Sequence, residues 1–271
     1  MGKIILDVNN LSVSMEDKEI INNFSLSIEE NTTSALLCPN KCGKTTLIKT
    51  LSGIIDSNNG KISVNDILLS KKNFKDYIIS ISTILEDIEN QFLCNKVKDE
   101  LRYPLENLSY DDIEIVKIID DVSDTLKIST ILGKDISRLD YFEKVKTLVA
   151  ASIIHKPKLL FVDDILRFLS LKEKKEIIKI FKLINSKYGI AILFTTSDIN
   201  DVIGMNHIIV TDFNDNFFIG NYSEVIKKDN ELTKMGFDIP IMIDLSRKLE
   251  FYNLVDEIYY DEDRLVDKLW N

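Results

Sequence analysis

Leu36-Leu37-Cys38-Pro39-Asn40-Lys41-Cys42-Gly43-Lys44-Thr45-Thr46 decides how the rest of the chain is read. The apolar run Ser34 to Leu37 leads into it, and a helix-compatible segment, Thr45 to Leu51, leads out. The stretch has the spacing of a phosphate-binding loop, G-x-x-x-x-G-K-[ST], with Cys38 in place of the first glycine. A phosphate needs converging backbone N–H groups, and Gly43 leaves room for that approach. The helix that follows offers its dipole and free N–H groups to an anion. In such a loop Lys44 reaches the outer phosphates and the Thr45 hydroxyl ligates Mg²⁺. Gly-Lys-Thr alone also occurs in ordinary strand–turn–helix connections. The strand before it and the helix after it favour the nucleotide reading.

The chain has 271 residues, enough for one large α/β domain with an appendage or for two domains. Hydrophobic residues make up 45%, sufficient for a sizeable core, and the net charge of −10 argues against a general nucleic-acid binder. Three cysteines (Cys38, Cys42 and Cys94) and no secretion signal point to a reducing cytosol. Cys38 and Cys42 are four apart, but no second cysteine pair accompanies them. His155 and His207 lie far off, so the spacing speaks against a metal site there. No apolar run approaches the roughly 20 residues that span a bilayer, so a membrane role has to come through a partner.

Before the loop, Ile4 to Val8 and Leu11 to Val13 are β-compatible, Asp17-Lys18-Glu19 reads as a turn, and Phe24 to Ile28 alternates with period two. After it come a turn, Asp56 to Gly60, a strand, Gly60 to Val64, and a buried-strand candidate, Ile78 to Leu85. The middle is helical. Val97 to Leu108 qualifies apart from Pro104, and Asp111 to Lys127 spaces Ile115, Ile118, Ile119 and Val122 along one face. Glu143 to Ile154 is a further helix, ending before Pro157. Ser170 and Glu173 make a capping box that opens a helix with Ile177, Phe181 and Ile184 on one side. Lys172, Lys174, Lys175 and Lys179 read as its solvated face. Ile190 to Phe194 is the next buried strand, followed by a polar exit to Asp198. His207 to Val210 and Phe217 to Ile219 are expected to pair as closing strands.

The second chemical signal is Leu159-Leu160-Phe161-Val162-Asp163-Asp164. Four apolar residues followed by two carboxylates is how a buried parallel strand ends at a site. In phosphate-loop proteins the first such Asp helps hold Mg²⁺, and a following acid orients the attacking water.

With both motifs placed, the order of elements resembles the ATP-binding subunits of ABC transporters. More narrowly it resembles the ATPases of energy-coupling factor (ECF) transporters, importers of vitamins and metal ions. That narrower likeness rests on Asp87-Ile88-Glu89-Asn90-Gln91-Phe92 with Val97-Lys98-Asp99-Glu100 and Leu105-Glu106-Asn107. It rests also on Met235-Gly236-Phe237-Asp238-Ile239-Pro240 with Leu245-Ser246. The resemblance covers nearly the whole chain.

Several family positions carry other residues here. Cys38 and Lys41 stand where glycines are usual, and Met15 where an aromatic ring stacks on adenine. Glu86 stands at the glutamine of the Q-loop, and Gln91 belongs to a second, subfamily-specific position. The signature Leu-Ser-Gly-Gly-Gln falls on Leu139-Asp140-Tyr141-Phe142-Glu143, whose bulk and charge oppose contact with a partner's phosphate. Asp163 matches the Mg²⁺-binding acid. Asp164 replaces the catalytic Glu with a side chain one methylene shorter. Ser197 replaces the switch histidine and Ser170 the D-loop aspartate.

The resemblance implies an ABC-type α/β fold with an antiparallel β subdomain, a helical insert at about 90–155, a nucleotide-binding domain over 1–229 and a C-terminal extension over 230–271. It implies ATP and Mg²⁺ as cofactors, held by Asn40, Lys41, Cys42, Gly43, Lys44, Thr45, Thr46 and Met15. Thr45, Asp163 and Glu86 would hold the metal, and Asp164, Glu86 and Ser197 would serve catalysis. Implied partners are a second ABC ATPase subunit, a transmembrane coupling subunit docking near Glu86 to Leu101 and, indirectly, a substrate-binding membrane subunit, with no nucleic acid. The place implied is the cytoplasmic face of the cell membrane. The competing expectation is a non-catalytic half of a heterodimer. An unrelated phosphate-loop kinase fits poorly, since nothing resembles an acceptor-binding lid.

Overall fold

Alternation of apolar and polar residues builds the first sheet. Strand β1 (Ile4–Met15) buries Leu6, Val8, Leu11 and Val13 and pairs antiparallel with β2 (Lys18–Glu29) and β4 (Asn59–Val64), with β5 (Ile67–Leu68) at the edge. The computed structural model describes residues 2–16, 18–214, 216–259 and 262–270. Asp17 of the expected turn lies outside the described residues, and Lys18 and Glu19 already belong to β2.

The second sheet has the order β10-β9-β3-β8-β7-β6. Its strands are β3 (Thr33–Leu37), β6 (Ile81–Ile84), β7 (Leu159–Val162), β8 (Ala191–Thr196), β9 (Ile208–Thr211) and β10 (Phe217–Gly220). All pairs are parallel except β9 with β10. Near-continuous apolar strands of this kind are buried on both faces. Leu36, Phe161 and Leu193 pack with the first sheet and with α1 (Lys44–Leu51), while Leu37, Leu160 and Phe194 pack on the opposite side.

That opposite side is covered by α3 (Val97–Asn107), α4 (Asp112–Leu126), α5 (Tyr141–Ile153) and α6 (Leu171–Tyr188). Helix α5 starts two residues before the expected Glu143, because Asp140 and Glu143 form a capping box across its first turn. The apolar run Ile78 to Leu85 is not one strand. Helix α2 (Phe74–Ser80) takes its first part and leaves Ile78 and Ile79 exposed, and β6 begins at Ile81. The buried Tyr77 hydroxyl, donating to Leu51 O at 2.6 Å, ties that helix down, a contact that apolar periodicity cannot reveal. Lys174 does not belong to the solvated face of α6. Its side chain is 12% exposed and pairs with Asp201 at 2.8 Å and Asp198 at 3.1 Å.

The C-terminal part adds α7 (Tyr222–Ile226), α8 (Asp229–Lys234), α9 (Ile241–Phe251) and α10 (Glu262–Trp270). Leu232, Met235, Phe237 and Ile243 join the main hydrophobic cluster, and Arg247 donates to Ile226 O at 2.5 Å. Among the described residues no helix is long and apolar enough to cross a membrane.

Candidate nucleotide site

The loop leaves the C-terminal end of β3, between β8 and β9, where open α/β sheets place their ligands. Cys38 N donates to Thr196 O at 3.0 Å, fixing the start of the loop on its neighbour strand. Gly43 has φ +120°, and a Cβ there would meet Ile20 Cγ2 at 2.7 Å, so both backbone and space require glycine. Lys41 adopts φ +62° at a position where glycine is the easier residue. Cys38 and Cys42 are joined by a disulfide across the loop, and Cys94 is the free cysteine. The turn of the loop brings these two residues, four apart in the chain, face to face.

Lys44 folds back over its own loop. Its ammonium donates to Cys38 O at 3.2 Å and Pro39 O at 3.3 Å and lies 3.7 Å from Asp164 Oδ2. Burial lowers its pKa, with Asp164 opposing the shift. Asp163 is fully buried at the end of β7. Its Oδ1 accepts from the Thr195 hydroxyl at 2.9 Å, and its Oδ2 has no hydrogen-bond partner. Burial raises the pKa of Asp163, opposed first by the Thr45 hydroxyl and then by Thr195. Asp164, with φ +48°, turns the chain out of the strand, and Thr195 Oγ1 accepts its N–H at 3.0 Å. Its pKa is also raised by burial, with Lys44 pulling the other way.

A cavity of about 490 Å³ opens over Lys44 and Asp164, and Asp163 is not among the residues that line it. It is lined by Asn40, Lys41 and Gly43 to Thr46 of the loop together with Ile20, Glu86, Asp164 and Arg167. Arg167 Nη1 donates to Glu86 Oε1 at 3.0 Å. Met15 lies beside the loop, where the Thr46 hydroxyl donates to its Sδ at 3.8 Å, and it is 45% exposed. Ser197 does not line the cavity. It lines an adjoining groove with Pro39 and Asn40, beyond the Lys174–Asp201 pair and the Thr196 hydroxyl that donates to Asp201 at 2.7 Å. Gln91 is a structural clamp: its amide accepts from Leu85 N at 2.9 Å and donates to Leu85 O at 2.8 Å and Asp87 O at 2.6 Å. At the N-terminus of α5, Asp140 Oδ1 accepts from Glu143 N at 2.7 Å, so the chain's own carboxylates occupy that end.

Sequence reasoning missed Arg167, Thr195 and Ile20 as site residues. Thr195 carried a weak signal as part of a polar strand exit. Arg167 carried none, since its pairing with Glu86 spans 81 residues.

The residues fit Mg²⁺. A buried carboxylate oxygen without a partner, beside a threonine hydroxyl, is a hard-oxygen donor set for an ion that keeps phosphates and waters as its other ligands. Among the described residues no group of three or more His, Cys, Asp or Glu could cage a metal by itself.

A phosphate loop on the central strand of a mostly parallel sheet, an antiparallel sheet on one side and a helical insert before the acid-ended strand define an ABC-type ATPase domain. The chain belongs to the ABC transporter family, which it matches over residues 21–167. Along nearly its whole length it is similar to energy-coupling factor transporter ATP-binding proteins. It is 24% identical over 273 residues to EcfA1 of Lacticaseibacillus paracasei, covering 100% of this chain and 98% of that one. It is 27% identical over 241 residues to EcfA of Pediococcus pentosaceus, covering 87% and 85%. In structure it is similar to cbiO1 from Clostridium perfringens, part of the ABC transporter complex cbiONQ. The TM-score there is 0.78 at 23% identity, covering 93% of this chain and 99% of that one, a likeness of fold.

Proposed function

We propose that this chain is the ATP-binding subunit of an ECF-type importer, coupling Mg-ATP binding and hydrolysis to uptake of a vitamin or metal ion through membrane partners. The observation that carries the nucleotide reading is the fully buried Asp163, whose Oδ2 has no hydrogen-bond partner, beside Thr45 of the phosphate loop. Thr45 and Asp163 hold Mg²⁺, with Glu86 at the rim. The ion supplies charge neutralisation on the outer phosphates. Phosphate oxygens draw the Lys44 ammonium away from the Cys38 and Pro39 carbonyls. That leaves Asp164 to accept a hydrogen bond from the attacking water. Met15 packs against the base, and Asn40 to Thr46 supply the backbone cradle. Ser197 acts only if its groove joins the cavity when a partner docks.

The partners are a second ABC ATPase subunit and a transmembrane coupling subunit near Glu86 to Leu101, with a substrate-binding subunit reached through the latter. The chain works as a peripheral protein at the cytoplasmic face. Leu93, 70% exposed, supports the docking segment, which Glu100 stiffens by accepting from Leu93 N at 3.0 Å and Cys94 N at 2.8 Å.

The second reading, a non-catalytic half of a heterodimer, is favoured by the capping box at Asp140 and the bulk of Tyr141 and Phe142. The two separate in one experiment. Calorimetry of Mg-ATP with wild type and Lys44→Ala is followed by turnover with the co-purified partner. Micromolar binding lost in Lys44→Ala supports the site, and turnover that falls about a hundredfold in Asp164→Asn supports the motor. Binding without any turnover change in Asp164→Asn supports the non-catalytic half. No binding at millimolar ATP sinks the nucleotide reading.

A further inference from the structure

We propose that Arg167 is the residue that tells a nucleoside triphosphate from a diphosphate in this cleft: its guanidinium leaves Glu86 for the terminal phosphate. The inference rests on the nucleotide reading above and adds a residue that the loop motif does not contain.

Four observations converge. Arg167 lines the same cavity as the phosphate loop. The left-handed turn at Asp164 folds the chain back so that Arg167 N donates to Asp164 O at 3.3 Å. The guanidinium is committed only weakly, to Glu86 at 3.0 Å, with both side chains well exposed at 55% and 39%. An exposed ion pair of this kind is easily exchanged for a better partner. Lys44, by contrast, is divided among two carbonyls and Asp164 deep in the loop.

A planar guanidinium binds phosphate oxygens through two parallel N–H donors, which a carboxylate rim cannot do. A triphosphate extends beyond Lys44 and Thr45 toward Arg167. A diphosphate ends short of it and leaves the Arg167–Glu86 pair closed. The seat of the arginine is built. Its guanidinium carbon lies 5.6 Å from the Phe168 ring centre, and Phe168 meets Tyr141 edge-on at 5.8 Å. Tyr141 opens α5, so occupancy of Arg167 is read by the helix that stands at the signature position. The Tyr141 hydroxyl in this seat is buried and has no hydrogen-bond partner.

The test is calorimetry in Mg²⁺ with ADP and with a non-hydrolysable ATP analogue, for wild type, Arg167→Gln and Arg167→Lys. Arg167→Gln is expected to weaken triphosphate binding about tenfold or more, the scale of a charged hydrogen bond, with ADP within about twofold. Arg167→Lys restores part of the loss. ADP binding certifies that each variant is folded. Equal losses for both nucleotides, or no loss in Arg167→Gln, overturn the role of Arg167 while leaving the site intact. A wild type that binds neither nucleotide overturns the site and this inference together.

Discussion

Asp163 shows at the residue scale how the cleft trades stability for binding. Burial holds its carboxyl above the ordinary value of 3.8, so the folded chain binds a proton more readily than the unfolded chain. Stability therefore falls as pH rises through that interval, and the cost stays in place at neutral pH. Asp163→Asn keeps an acceptor for Thr195 and removes the charge. We expect the variant to melt higher than wild type at pH 7 and the gap to close at pH 3.8 and below. Thermal melts across pH check this, and a gap that does not depend on pH overturns it. Cys38 and Cys42 act in the opposite direction. Chain entropy for so short a loop is worth about 2 kcal/mol, so a reductant should lower stability by about that much as free thiols rise from one to three. Unchanged denaturation midpoints with three labelled thiols would remove the disulfide from the stability of the fold. The loop motif, being local, was enough to expect Gly43 and Lys44 at the cleft, and both line it. Thr195 and Arg167 were not expected there, since only the parallel pairing of β7 with β8 and the return of the chain after Asp164 bring them to the cleft.

The helical insert was legible at the element scale, where apolar residues recur every three to four positions and caps mark the ends. Helix α4 spans Asp112–Leu126 with Asp111 as its cap, close to the expected Asp111 to Lys127. The run Ile78 to Leu85 was misread because apolar length alone cannot separate a buried strand from a half-exposed helix. The N-terminus of α5 carries the most consequence. Asp140 satisfies the Glu143 N–H at 2.7 Å, and Lys134 holds the Glu143 carboxylate at 2.9 Å. Asp140→Ala should cost about 1 kcal/mol in urea unfolding, the usual value of a cap. A variant as stable as wild type would show that the cap contributes nothing and that these acids serve only the surface they present.

At the scale of the whole molecule the two sheets share one core with α1, and Leu232, Met235, Phe237 and Ile243 fasten the C-terminal part to a second core on the opposite side of the second sheet. Several large apolar side chains of that C-terminal part stay exposed. Ile241, Phe251, Tyr252 and Trp270 are 83%, 81%, 70% and 78% exposed. Exposed large apolar side chains, where they lie together as Phe251 and Tyr252 do, mark surfaces that another chain covers. Phe251→Asp combined with Trp270→Asp should leave the melting temperature within a few degrees, since neither ring supports the core. The same pair should lower self-association, or association with the partner ATPase, at least tenfold by sedimentation. An unchanged association constant would move the subunit contact elsewhere.

The phosphate loop, the acid-ended strand and the amphipathic insert were determined by the sequence alone, because each is written in residues adjacent in the chain or one helical turn apart. The pairing of Lys44 with Asp164, the unpartnered oxygen of Asp163, the burial of Lys174 and the meeting of Glu86 with Arg167 were decided only by the tertiary structure. Each depends on which strand lies beside which, and on how far burial removes a charge from water.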